Sequence, residues 1–181
     1  SDLGAEEMGA EVRVLRVPEL APQEAINSNP AWKAHAEQTK HVPLVTHGDL
    51  EWADAYIFSA PTRFGNMAAQ MRQFLDTTGG LWFQGKLTNK PVSAMTSAQN
   101  PHGGQEAAIL SFFTNMYHWG AIVVAPGYTD PSISVAGGNP YGVSVTVGQD
   151  GKLVEDVEDA VKHQAQRTVT VAKWLKQGSG K

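Results

Sequence analysis

Apolar and polar positions follow two different periods along this chain, and the switches between them mark its elements. Residues 11–17 read E-V-R-V-L-R-V, with Val12, Val14, Leu15 and Val17 apolar, and Pro18 ends the run; this predicts a strand. Ahead of it, residues 1–9 read as the tail of a helix with Gly9 as its C-cap. Residues 18–50 are polar and rich in Pro, Asn and His. They predict a long connection with a short helix around 30–40, packed on the surface through Trp32 rather than linking two domains. A-Y-I-F-S at 55–59 predicts a buried strand that stops at Ala60-Pro61. Met67, Met71, Phe74 and Leu75 then fall at helical spacing over 67–76. A strand over 91–97 precedes a helix over 104–119, which turns Ile109, Leu110, Phe113 and Met116 toward the sheet. A fourth strand covers 121–125, a Gly- and Pro-rich loop 127–152, and a closing helix 156–177 with Val157, Val161, Ala165, Val169, Ala172 and Leu175 on one face.

Short apolar strands alternating with helices predict a parallel sheet covered on both faces. Right-handed crossovers make that a doubly wound α/β fold in a single domain. The length of 181 residues and the 41% hydrophobic, 18% charged composition suit one such soluble domain without staples. There is no cysteine, so disulfides and thiolate chemistry are excluded and a cytoplasmic location is expected. The net charge of -4 is spread without a basic block, which argues against nucleic acid as a partner. The longest strongly apolar stretch, 121–125, is far too short for a membrane span.

Ligands of open α/β sheets bind beyond the carboxyl ends of the strands, so the segments that follow each strand are the candidate chemistry. After the strand at 55–59 comes Pro61-Thr62-Arg63-Phe64-Gly65. Pro61 fixes the chain direction, Gly65 permits an unusual backbone angle, and the amides between them could meet the carbonyls of a flat heteroaromatic ring. Arg63 could set positive charge beside a reduced, anionic ring. An ordinary strand-to-helix turn, with Arg63 paired to a surface carboxylate, fits the local residues as well. After the strand at 91–97 comes Ser97-Ala98-Gln99-Asn100-Pro101-His102-Gly103-Gly104, a segment able to wrap the edge of a planar ligand or to serve as a plain Gly-rich turn. Neither a dinucleotide fingerprint nor a P-loop is present. Trp82 sits in a loop where an aromatic could cover a ligand or an interface, whereas Trp119 reads as a core residue and Trp174 as packing or interface. The six histidines lack metal-ligand spacing, so no metal is expected. His118, which closes a helix before Gly120, reads locally as a satisfied structural histidine.

Taken jointly, these segments resemble the WrbA-type NAD(P)H:quinone oxidoreductases, a flavodoxin-like family. The resemblance is carried by P-T-R-F-G-N-M from Pro61, Q-M-R-Q-F-L-D-T-T-G-G-L-W through Trp82, G-G-Q-E at 103–106, H-W-G-A at 118–121, P-G-Y at 126–128 and G-G-N-P-Y-G at 137–142. It implies a flavodoxin-like sheet of order 2-1-3-4-5 and FMN as cofactor. It also implies that Pro61, Thr62, Arg63, Phe64 and Gly65 contact the isoalloxazine while Ser97, Ala98, Gln99, Asn100 and Gly103 line its other edge. His118 would bind near the ring, with Arg63 and His118 as the catalytic pair. Trp82 would flank the substrate pocket from a neighbouring subunit of a homotetramer. Ala98–His102 departs from the Gly- and Thr-rich loop of the relatives, so equivalence there is looser.

The resemblance further implies an opening strand and a Ser/Gly-rich phosphate loop ahead of the first helix. The domain is therefore expected to be N-terminally incomplete, with FMN affinity lowered sharply where that loop is lacking. The implied reaction is a ping-pong two-electron transfer, in which NADH or NADPH gives a hydride to flavin N5 and a quinone then takes the electrons. A flavodoxin-like one-electron carrier and a non-enzymatic binding protein are the alternatives.

Overall fold

Residues 91–98 are buried at seven of eight positions, the mark of a strand covered on both faces. A computed structural model of the chain, which describes residues 2–179, builds the molecule around it. In chain order the elements are α1 (Asp2–Glu7), α2 (Gln23–Ser28), α3 (Pro30–Thr39), α4 (His47–Trp52), β1 (Tyr56–Arg63), β2 (Asn66–Met67), α5 (Ala69–Asp76), α6 (Gly79–Phe83), β3 (Pro91–Ala98), α7 (Gln105–Trp119), β4 (Ile122–Val123), α8 (Pro131–Val135), β5 (Ser144–Thr146) and α9 (Glu158–Gly178).

The sheet runs β2-β1-β3-β4, with β5 also beside β3. β1 and β3 are parallel from Tyr56↔Val92 to Pro61↔Ser97. β4 pairs with the start of β3 and β5 with its end, both parallel. β1, β3 and the split β4/β5 thus supply the 3-4-5 half of the expected order. The opening strand and phosphate loop that the resemblance places ahead of α1 lie outside the described residues.

One face of the sheet buries Tyr56, Phe58 and Ala60 of β1 against α5 and α7. Helix α7 presents Ile109, Phe112, Phe113 and Met116 there, at i, i+3, i+4 and i+7. Phe112 is fully buried and stacks on Phe58 at 6.0 Å between centroids; burial of such a side chain stabilises by about 1.5–3 kcal/mol. Trp119 packs edge-on to Tyr56 and Phe58. The helix stops at Gly120, whose φ of 67° allows Gly120 N–H and Ala121 N–H to reach the carbonyls of Tyr117 and Met116. The other face holds Met95, Ile133, Ala136, Val143 and Ala160, contributed by β3, α8, α9 and the segments beside them.

Burial also sets the polar joints. The Tyr56 hydroxyl donates to the Leu50 carbonyl, and burial pushes its ionisation well above the usual phenol range. Lys90 Nζ caps the end of α4 by donating to the carbonyls of Leu50 and Glu51, and burial lowers its pKa.

Four expectations need correction. Leu110, expected to face the sheet from α7, is exposed, and the fully buried Phe112 takes that place. Residues 11–17 form no strand. A ladder needs a partner, and here only Arg16 bridges to Leu44, through Arg16 N–H to Pro43 O and Val45 N–H to Arg16 O. The connection at 18–50 holds three helices rather than one; Thr46 and Asp49 start the third with a capping box. The stretch read as loop, 127–152, contains α8 and β5.

Candidate functional site

The end of β1 does not run straight into a helix. It turns back as a hairpin, with Thr62 opposite Met67 and Arg63 opposite Asn66. The two residues at the tip, Phe64 and Gly65, have φ of 50° and 77°. Positive φ at both central positions is what the twist of a two-residue hairpin demands. Glycine adopts it freely, whereas a bulky residue such as Phe64 is strained there. The Phe64 ring is also fully exposed. A strained backbone carrying an uncovered aromatic at a strand end makes this turn a candidate for facing a ligand. Arg63 donates to the Thr62 carbonyl at 2.9 Å and has no carboxylate partner among the described residues, so its charge is not consumed locally.

The loop after β3 folds around Asn100. Its side chain accepts from His102 N–H at 3.0 Å, and its carbonyl accepts from Gly103 N–H and from Gln105 Nε2. A Cβ on Gly103 would lie 2.5 Å from the Ala98 methyl. A Cβ on Gly104, whose φ is 83°, would lie 2.6 Å from Gly65 Cα. The two loops therefore meet backbone to backbone, and only glycines allow it. This brings Pro61, Thr62, Arg63, Phe64 and Gly65 together with Ser97, Ala98, Gln99, Asn100 and Gly103 at one end of the sheet.

His118 and Trp82 are not brought there. Helix α7 starts at this end and carries His118 in its last turn, thirteen residues on from Gln105. At 1.5 Å per residue that is about 20 Å away. Trp82, on α6, donates its indole N–H to the His118 carbonyl at 2.7 Å. Their chain neighbours Phe83 and Tyr117 are 86% and 65% exposed.

A cleft of ≈ 470 Å³ has residues of the Pro101–Gln105 loop and the start of α7 in its lining. Its opposite wall comes from Gly137, Gly138, Asn139, β5 and Glu155. Sequence reasoning matched G-G-N-P-Y-G to relatives without giving it a place in a site. The readable signal was the pair of glycines between a short helix and a strand. Among the described residues there is no cluster of metal-ligating side chains, and no helix is long and apolar enough to cross a membrane.

Residues 3–130 match the family model for NADPH-dependent FMN reductase. A relative from Deinococcus radiodurans, named NAD(P)H dehydrogenase (quinone), is 54% identical over 162 residues, covering 89% of this chain and 80% of its own length. A relative of the same name from Geotalea uraniireducens is 42% identical over 176 residues, covering 93% and 86%. The crystal structure of a WrbA-like flavodoxin from Agrobacterium tumefaciens superposes with a TM-score of 0.52 at 18% identity, over 81% of this chain and 87% of that one, a likeness of fold. With its strand-end loops joined at Gly65 and Gly104, this chain belongs to the NADPH-dependent FMN reductase family and, within it, to the WrbA-type quinone oxidoreductases.

Proposed function

We propose that this protein catalyses the two-electron reduction of quinones by NAD(P)H with FMN as its resident cofactor. The observation that carries the reading is the contact of Gly104 with Gly65, which joins the hairpin and the loop after β3 into one rim. The residues of that rim fit a flavin ring. Phe64 offers an uncovered aromatic face, and the hairpin tip offers backbone amides. Arg63 offers a charge with no carboxylate partner among the described residues. Bound there, FMN supplies the chemistry: it accepts two electrons from a nicotinamide and hands them to a quinone.

The protein's part is positioning and electrostatics. Thr62, Arg63 and Phe64 hold one side of the ring, and Arg63 stabilises negative charge on it. Pro61 and Gly65 shape the hairpin that carries them. Ser97, Ala98, Gln99, Asn100 and Gly103 enclose the other edge. Since Trp82 and His118 stand about 20 Å from this rim within one chain, they serve it from a neighbouring copy. Their exposed aromatic surroundings suit burial between subunits. Trp82 then stacks on the flat quinone, and an imidazole nitrogen of His118 polarises the quinone oxygen or delivers a proton to it. A homotetramer in the cytoplasm is the assembly and location this reading favours. The relatives named as quinone dehydrogenases leave the one-electron carrier and non-enzymatic binding readings without support.

The test is steady-state reduction of benzoquinone by NADH or NADPH with FMN-loaded protein. One quinone reduced per nicotinamide oxidised is expected; no turnover with either donor overturns the reading.

A further inference from the structure

Gln105, the first residue of α7, is bonded to the ring-binding loop without belonging to it. Gly104 precedes the helix at φ 83° and gives it no side-chain cap. The Gln105 side chain turns back five residues and donates from Nε2 to the Asn100 carbonyl at 2.9 Å. The same carbonyl accepts from Gly103 N–H at 3.0 Å. Both of its lone pairs are therefore taken.

The residues around that carbonyl explain why the second donor matters. Asn100, Pro101 and Gly103 stand at the first, second and fourth positions of a β-turn, where those residue types are favoured. Asn100 Oδ1 accepts from His102 N–H at 3.0 Å, which closes an Asx-turn inside it. Pro101 has no N–H, so the peptide joining it to Asn100 is an acceptor only. An oxygen of that peptide left open to the flavin edge would repel negative charge there. Turned onto Gly103 and Gln105, it leaves donors as the free backbone groups of the loop's first half. Gln99 N–H and Asn100 N–H have no partner among the described residues, and both residues are exposed. Neither residue lines the cleft beside the loop, whose wall begins at Pro101. The turn has little room to rearrange while it stays closed, since a Cβ on Gly103 would lie 2.5 Å from the Ala98 methyl and 3.1 Å from the Asn100 oxygen.

We propose that Gln105 is a positioning residue of the flavin site. By holding the Asn100 carbonyl inward, it keeps the Gln99 and Asn100 N–H groups available to the ring edge that carries the charge of the reduced state. The proposal rests on the FMN-dependent reductase reading and deepens it. It names what favours reduced over oxidised FMN on the 97–103 side of the rim, as Arg63 does on the hairpin side. Hydrogen bonds to a charged acceptor are about twice as strong as neutral ones, so losing the arrangement costs the reduced ring more than the oxidised one.

The test is the two-electron potential of FMN bound to the full chain, with Tm measured on the same samples. Gln105→Met keeps the length and helix preference of the side chain and removes the donor. Reduced FMN is expected to lose about tenfold more affinity than oxidised FMN, which lowers the potential by about 30 mV. Gln105→Lys keeps a donor of similar reach and is expected to hold the potential at the parent's value or above it. A glutamine that only braced the fold would weaken both redox states alike and lower Tm with the potential unmoved. An unchanged potential in Gln105→Met overturns the proposal, as does an equal fall in Gln105→Lys. A parent that shows these shifts but reduces no quinone overturns the reductase reading and leaves the positioning role standing. Turnover by the parent with no shift in the variants overturns this assignment alone.

Discussion

Replacing Gln164 isolates how much of the C-terminal half of the sheet depends on one side chain. In Gln164→Leu the shape is nearly kept, but the Val143 N–H and the Ala94 carbonyl lose their partner inside the protein. Each stranded group costs about 1–3 kcal/mol, and the apolar replacement returns part of that. The expected loss is about 2–4 kcal/mol, which lowers Tm by about 5–15 °C for a domain of this size. Gln164→Glu sharpens the test. Only the protonated acid can donate to the Ala94 carbonyl while accepting from Val143 N–H, so the introduced group should titrate in the folded state well above its unfolded value of about 4.3. A folded pKa above the unfolded one means the folded state holds the proton longer. The variant is then most stable, relative to the parent, below about pH 4. It loses about 1.4 kcal/mol per pH unit between the unfolded and folded values, and levels off above them. Urea unfolding of both proteins from pH 4 to 8, scored as the difference in midpoint at unchanged slope, reads this directly. A loss under about 1 kcal/mol for the leucine variant, or a midpoint difference flat across pH for the glutamate variant, would refute the bridging role.

Three further outcomes bear on the site. Gly104→Ala puts a methyl 2.6 Å from Gly65 Cα on a backbone at φ 83°, so the two loops must part; flavin fluorescence titration should show FMN binding weakened by at least about tenfold, and unchanged affinity would argue against a shared rim. Phe64→Asn suits φ 50° better than phenylalanine does. Its Tm should hold or rise while quinone turnover falls, and a lower Tm would contradict the strain argument. Phe83→Glu places charge beside Trp82 on the exposed aromatic cluster; light scattering should show a smaller assembly, with FMN still bound by each chain and quinone turnover lost. An unchanged mass with full activity would rule out a neighbour-supplied pocket.

The parts of the fold legible in the sequence are those whose burial is decided locally. The strands at β1 and β3 stand out as short runs rich in apolar and small residues between turn signals, and α7 and α9 because apolar positions repeat at helical spacing. Residues 11–17 carry an equally good strand pattern, but propensity records fit to a pleated surface, not the presence of a partner. At Arg16 that partner is a single residue, Leu44. β5 failed to show for the opposite reason. Its three residues sit among Gly and Pro, and it exists because β3 offers an edge nearly fifty residues away and Gln164 fills the rung beside it. No local window contains that information. The start of α4 could have been read, since Thr46 and Asp49 stand at capping-box spacing before an apolar position.

The site divides along the same line. The hairpin and the loop after β3 could be named as candidates because the sheet fixes where strand ends point. The relation of His118 to them needed one more step, and it was available from the sequence. G-G-Q-E opens α7 and H-W-G-A closes it, and a helix of fifteen residues separates its ends by about 20 Å. Two motifs at opposite ends of one rigid helix cannot both touch one ring within one chain. Either His118 acts elsewhere, or the pocket is completed by a second chain. The Trp82 indole bonded to the His118 carbonyl, with Phe83 and Tyr117 exposed around it, favours the second. Burial of that cluster against a neighbour's flavin rim would account both for the uncovered aromatics at one end of the sheet and for the uncovered Phe64 at the other.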